Sequence, residues 1–379
     1  MSRPTVSHHL LYSLDYEVYW TRNDDEVEVL VRPTDHLLAV ARDLGVPVTL
    51  FVDVMSLWRY AEVGEARFVQ AVERQLREAV ASGHDVQVHL HPHWMTAERR
   101  GAEWRFAASE FLLGAGRSES ETYEVSRRLL ERARQYLQDL LQPVDSRYEA
   151  VAFRAGGYGL QPGARAIIRA LVDAGYAIDS SVVPGMYLRT GRNQVDYRRA
   201  PDAANYFLDG ESGLDAAARD GVFEVPVGAA RIGVAAMARR IGRYGRFRLA
   251  PPAPLYGRGH SRDLDGGAVS DGGTWRQSIA RKGRVLADRF AALRLPEDPE
   301  VLLAVTRAWM ARHQVSDTYC SLLVHPKGLT GQMVDDLRTY HRRLLDICGA
   351  DVAFTTFRDA ASRLQPGRAR ATEALRACR

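Results

Sequence analysis

With 379 residues, 46% of them hydrophobic and 26% charged, the chain has the composition of an ordinary globular protein and the length of one large domain or two smaller ones. Its net charge of +4 comes with no recognised nucleic-acid module, so a nucleic-acid partner is not expected. No run of about 18 apolar residues occurs, which excludes a membrane-spanning helix as an expectation.

The first twenty residues lack the apolar centre of a secretory signal, because His8, His9 and Asp15 interrupt it. Leu10–Leu14 reads as a buried strand that ends in Asp15-Tyr16-Glu17, two carboxylates one residue apart. Thr34–Leu44 has helical periodicity and stops at Gly45. Val46–Val54 is a second buried strand, rich in β-branched residues. Glu65–Ala81 is an amphipathic helix that stops at Ser82-Gly83. Asp85–Leu90 is a third strand, and histidines crowd its exit: His84, His89, His91 and His93 fall within ten positions. A helical turn there would bring His89 and His93 together, whereas an extended chain would face His89, His91 and His93 one way.

The alternation continues with a helix at Glu119–Leu141, a strand at Ala150–Arg154, a helix at Pro162–Ala174 and a strand at Tyr176–Asp179. Tyr187–Asp220 has few signals, and Phe223–Val227 reads as a strand. Ala229–Arg248 is basic and rich in small residues, and Ala250–Gly273 is rich in glycine and proline, a pattern that suits a lid, an inserted loop or, equally, a disordered insertion. A helix at Glu297–His313 and a buried strand at Tyr319–Val324 follow, the strand running into His325-Pro326. Gly331–Ile347 is helical, Asp351–Thr355 is a last strand, and a helix from Phe357 runs into a polar tail. Cys320, Cys348 and Cys378 form neither a CxxC pair nor an even framework, which argues for a reducing compartment; a cytoplasmic setting is expected.

Strands alternating with helices at this spacing predict right-handed βαβ units and a parallel sheet or barrel, with the site beyond the C-terminal strand ends. Asp15, Glu17, His89, His93, Arg154 and Asp179 all fall at such ends. Two histidines and a carboxylate with one open position make a catalytic zinc site. Either Asp15 or Glu17 can be the ligand while the other acts as base toward water. Arg154 can hold a carboxylate ionised, and the glycines that follow it let the chain approach closely.

Taken in order, these stretches resemble the polysaccharide deacetylase family, the NodB-homology carbohydrate esterases, over most of the chain. SLDYE resembles a D-x-D/E first motif, GHD leading to His89 and His93 the second, FRAGGYG the third, Asp179 the fourth and LLVHP at His325 the fifth. The sequence departs from the family in placing Tyr16 between the two acids and glycine where the third motif has proline. The resemblance implies an α/β fold, a distorted (β/α)7-type barrel with a basic, Gly/Pro-rich insertion. It would be one domain over residues 1–365, with the insertion at about 228–280 and a polar tail at 366–379. It further implies a divalent metal, zinc first, on Glu17, His89 and His93. Asp15 would be the base, Arg154 its holder, Tyr158 the source of an oxyanion-binding backbone amide, and His325 the acid, oriented by Asp179. The expected activity is removal of an N-acetyl or similar acyl group from an amino sugar, a glycan precursor or a glycosylated small molecule. The alternatives are a hydrolase on the same barrel acting on a non-sugar C–N bond, and a non-catalytic carbohydrate-binding protein.

Overall fold

The computed structural model describes residues 8–189, 193–261, 289–315 and 317–364. Seven strands build its centre: β1 (His8–Tyr16), β2 (Val48–Asp53), β3 (Asp85–Leu90), β4 (Ala152–Ala155), β5 (Ile178–Asp179), β6 (Val222–Glu224) and β7 (Thr318–Val324). They pair in parallel in the spatial order β6-β5-β4-β3-β2-β1-β7. A short antiparallel strand, Tyr206–Leu208, covers the outer side of β6, and beyond β6 the chain meets β7. Val227, just past β6, bridges Ser321 of β7 in parallel, backed by Ser321 N to the Pro226 carbonyl (2.9 Å) and Gly228 N to the Ser321 carbonyl (3.0 Å). The sheet therefore curls into the expected distorted barrel, its last seam a short bridge instead of a full ladder. A further short strand, β8 (Val352–Phe354), pairs with residues His8–Leu10 of β1. Because β7 occupies one edge of β1 along residues 8–14, β8 and β2 share the other.

Strands β1, β2, β3 and β7 are buried along their whole length, as strands covered on both faces must be. Around them lie α1 (Arg32–Leu44), α2 (Val54–Glu62), α3 (Ala66–Ala81), α4 (Glu119–Leu141), α5 (Ala164–Asp173), α6 (Val234–Leu249), α7 (Pro299–Arg312), α8 (Gly331–Cys348) and α9 (Phe357–Leu364). Local chemistry sets several boundaries. Gly45 takes the left-handed conformation that ends α1, and Ser118 with Glu121 forms a capping box at the start of α4. In α3, Phe68, Val72, Leu76, Ala79 and Val80 make one buried face.

The insertion differs from its sequence reading. Residues 262–280 of it, and the 366–379 tail, lie outside the described residues. The remainder is ordered as a strand, Ala229–Arg231, paired antiparallel with Phe290–Ala292, followed by α6. Sequence periodicity does not reveal this helix because its inner side is mixed: Met237 packs on the core with Ala236 beside it, and Arg243 is buried as well. Cys320 and Cys348 are free and buried. Among the described residues no helix is long and apolar enough to cross a membrane.

Candidate active site

The strand alternation of β1 explains the spaced acid pair. Residues two apart share a face, so Asp15 and Glu17 both turn into the barrel mouth. Tyr16 turns outward, where its hydroxyl donates to Gln75 Oε1 of α3 (2.7 Å). The residue that departs from the family pattern is thus an anchor for the strand end.

Asp15 meets Arg154, whose side chain has no solvent exposure. Arg154 Nη1 donates to Asp15 Oδ1 (2.7 Å) and Ser13 Oγ (2.9 Å), Nη2 to Ser180 Oγ (2.9 Å) and Ser321 Oγ (3.0 Å), and Nε to the Ser180 carbonyl (3.0 Å). The guanidinium also lies over the Phe51 ring, 4.1 Å from its centre. Burial alone would raise the Asp15 pKa, but Arg154, helped by His89 and His325, holds it below the usual carboxylate value.

Glu17 is the hub of a second group. Burial again opposes ionisation, yet Lys327 and then His91 keep its pKa well below the usual range. Lys327 Nζ lies 2.6 Å from Glu17 Oε1 and donates to the Val18 carbonyl (3.3 Å). Glu17 Oε2 faces His91 Nε2 and lies 3.7 Å from His89 Nε2. His89 Nδ1 is 2.7 Å from the Arg154 carbonyl. A carbonyl only accepts, so Nδ1 carries the hydrogen, and Nε2 is the ring atom that faces Glu17.

Among the described residues Glu17, His89 and His91 form a group able to hold a metal, with one donor atom from each within 4.8 Å of the others. The donors fit a cation. His91 Nδ1 is buried without a hydrogen bond, and Glu17 Oε2 and His91 Nε2 are buried facing each other, a rare condition unless something else satisfies them. His93 is not part of this group. The chain stays extended through His91 (φ −111°, ψ 97°), which keeps His91 on the face of His89. Pro92 then opens a 3-10 turn that carries His93 away. The His93 ring packs against Phe106 (centroids 4.2 Å) and stacks on Phe111 (5.5 Å, 8° between planes).

The remaining expected residues are placed as follows. His325, one residue past β7, sits at the mouth with Nε2 3.6 Å from Asp15 Oδ2 and 3.4 Å from Glu17 Oε1. Tyr158 lies in the turn after β4 with a left-handed backbone (φ 61°), and its carbonyl accepts from the Tyr197 hydroxyl. Asp179 does not meet His325. It accepts from Ser181 N (3.1 Å) and Ser181 Oγ (2.7 Å), and Ser181 Oγ in turn accepts from Ala155 N (2.8 Å). Since Ser180 holds Arg154, Asp179 braces the arginine's turn and not the histidine. Its neighbour across the β5–β6 register is Glu224. Burial and then Asp179 raise the Glu224 pKa well above the usual value, and burial raises that of Asp179. Such a pair shares a proton.

No family model matches the chain, and no curated protein does. Among solved structures it is similar to a putative polysaccharide deacetylase from Mycobacterium smegmatis, at 14% identity and a TM-score of 0.45, covering 97% of this chain and 94% of that one. It is similar as well to Puue Allantoinase, at 13% and 0.44, covering 97% and 93%. A third is a probable polysaccharide deacetylase from Pseudomonas aeruginosa PAO1, at 12% and 0.44, covering 96% and 92%.

Several site residues escape sequence reasoning. Asp53 ends β2, where its Oδ1 accepts from His91 N (3.3 Å) and its Oδ2 from Trp94 Nε1 (2.8 Å); it fixes the exit of β3. Its signal was present, a lone carboxylate closing the apolar run VPVTLFVDV. Lys327, two residues past His325, had no partner visible in sequence. Ser13, Ser180 and Ser321 are unremarkable as residue types and gain meaning only from Arg154. Gly156 has a role that sequence suggests only in part: a Cβ there would stand 2.5 Å from His91 Nδ1 and 2.6 Å from the Leu90 carbonyl oxygen. The close approach it allows is that of a histidine ring. His84, at the opposite end of β3, is framework, accepting from Val48 N (3.3 Å).

Proposed function

We propose that this protein is a metal-dependent amide hydrolase that removes an acetyl or similar acyl group from an amino sugar or glycan precursor. The observation that carries the reading is the buried Asp15–Arg154 pair placed directly beside the Glu17, His89 and His91 donors, with His325 reaching both carboxylates from the mouth. Glu17 Oε2, His89 Nε2 and His91 Nε2 would hold a divalent ion, zinc first given two imidazoles and a carboxylate. When bound, that ion supplies Lewis acidity toward a carbonyl oxygen and a water.

The chain's own groups account for the proton movements. Asp15, kept ionised by Arg154, takes a proton from the attacking water. The water oxygen bonds to the amide carbon, and the Tyr158 backbone amide is assigned to the oxyanion that develops. The C–N bond then breaks as His325 gives a proton to the departing nitrogen, leaving a carboxylic acid and a free amine. Lys327 neutralises Glu17 Oε1 and so leaves Oε2 to face the ion. Asp179 and Ser181 act at one remove, by holding the turn that holds Arg154.

A second reading has one observation in its favour. The Lys327 ammonium already places a fixed cation on Glu17, and a same-barrel hydrolase of a non-sugar C–N bond could use it without a metal. Acetate release from N-acetylated amino sugars and sugar nucleotides tests the first reading, with Asp15→Asn as control. Release that needs a divalent ion and falls by about a hundredfold or more in the variant supports it. No release from any of these sugars, together with purified protein that binds no zinc, favours the second.

A further inference from the structure

Helix α6 is oriented against the rule for a helix that borders water. A surface helix buries its apolar stripe and exposes its charges. Here two arginines face the protein. Arg243 pairs with Asp336 and donates to the Pro296 carbonyl (3.1 Å), and Arg240 pairs with Glu297 (2.8 Å). The opposite face carries Val234, Ala238, Ile241, Gly245 and Leu249, at helical spacings that make one stripe. That stripe is open: Val234 is 73% exposed, Ile241 48% and Leu249 90%. Arg239 and Arg246 border it on one side, Arg248 and Tyr244 on the other. The helix has no acidic residue, and no described salt bridge engages the three bordering arginines.

We propose that α6 docks the protein on an anionic lipid surface, lying in its plane. The apolar stripe enters the acyl boundary while the bordering arginines and the Tyr244 hydroxyl meet phosphate headgroups. Sixteen residues give about 24 Å of helix, enough to lie along such a surface. The charge pattern selects this occupant. A second copy docked by two-fold symmetry would set the same arginines against each other. A nucleic-acid backbone would call for arginines at the centre of the face, where Ile241 and Gly245 lie.

Sedimentation of the full chain with vesicles tests the proposal, using phosphatidylcholine alone and an equimolar mixture with phosphatidylglycerol. The wild type is expected to bind the mixed vesicles at least about tenfold more than the neutral ones, with binding lost as salt is raised. Ile241→Asp with Leu249→Asp is expected to lower binding at least about tenfold, and Arg239→Glu with Arg246→Glu and Arg248→Glu likewise. All five side chains are exposed, so an unchanged thermal midpoint confirms that each variant is folded. Wild-type binding that is absent or indifferent to lipid charge overturns the proposal. So does undiminished binding by both variants, or a wild-type dimer in light scattering that the aspartate variant dissolves.

Discussion

Arg154 has every N–H of its inner face engaged by an oxygen from β1, the β5 turn or β7. Breaking a buried pair on one side strands the other charge, so Arg154→Met should cost about 3–5 kcal/mol in denaturant unfolding. The pH dependence follows from the same pair. Asp15 is held below its ordinary pKa, so its contribution to stability is present above that value and fades as pH falls through the depressed one. The variant should lack this acid-side loss. Gly156 offers a second test at this scale. Gly156→Ala would drive a methyl into the His91 ring and the Leu90 carbonyl, so metal content and activity should fall together although no ligand has been changed. Sequence spacing shows that the carboxylates and histidines belong together. It does not distinguish His91 from His93, because that depends on where β3 stops being extended, and Pro92 sets that point one residue after His91.

Strand and helix ends carry the site, and one of them has a measurable acid signature. Asp85 begins β3 on the barrel floor, where it accepts from Gln87 Nε2, Val86 N, Thr49 Oγ1 and Arg358 N at the start of α9. Burial pushes its pKa up to about 6 in spite of these donors. A raised carboxyl pKa stabilises the fold below the ordinary value near 3.8, and that stabilisation is lost as pH rises toward 6. The loss amounts to about 3 kcal/mol. Asp85→Asn should flatten the stability profile between about pH 4 and 6, measured by urea unfolding across that window; an unchanged slope would show that another group titrates there. Most elements of the barrel are legible from alternation, since short strands rich in apolar or β-branched residues are separated by helices with one apolar face. Helix α6 is not, because Arg240 and Arg243 turn toward the protein beside Met237 while Val234, Ile241 and Leu249 turn away from it.

At the scale of the molecule, the barrel gathers polar residues from several strand ends into one cluster. Residues as distant as Asp15, His89, Arg154 and His325 meet because β1 lies between β2 and β7 while the seam past β6 brings the chain back onto β7. The parallel βα order, and with it the mouth as the candidate site, is readable from sequence; the bridge at Val227 that closes the barrel is not, being a contact of single residues. A ligand that binds only the folded state stabilises it, so a chelator should lower the thermal midpoint of purified protein and added zinc should restore it.

The central claim is the donor set, and metal content tests it most directly. Wild type, His91→Ala and His93→Phe would be purified side by side and their bound divalent metal quantified against protein. The account predicts one ion per chain in wild type and in His93→Phe, which keeps an aromatic ring against Phe106 and Phe111, and a loss of bound metal in His91→Ala. Full metal in His91→Ala, or its loss in His93→Phe alone, would contradict it.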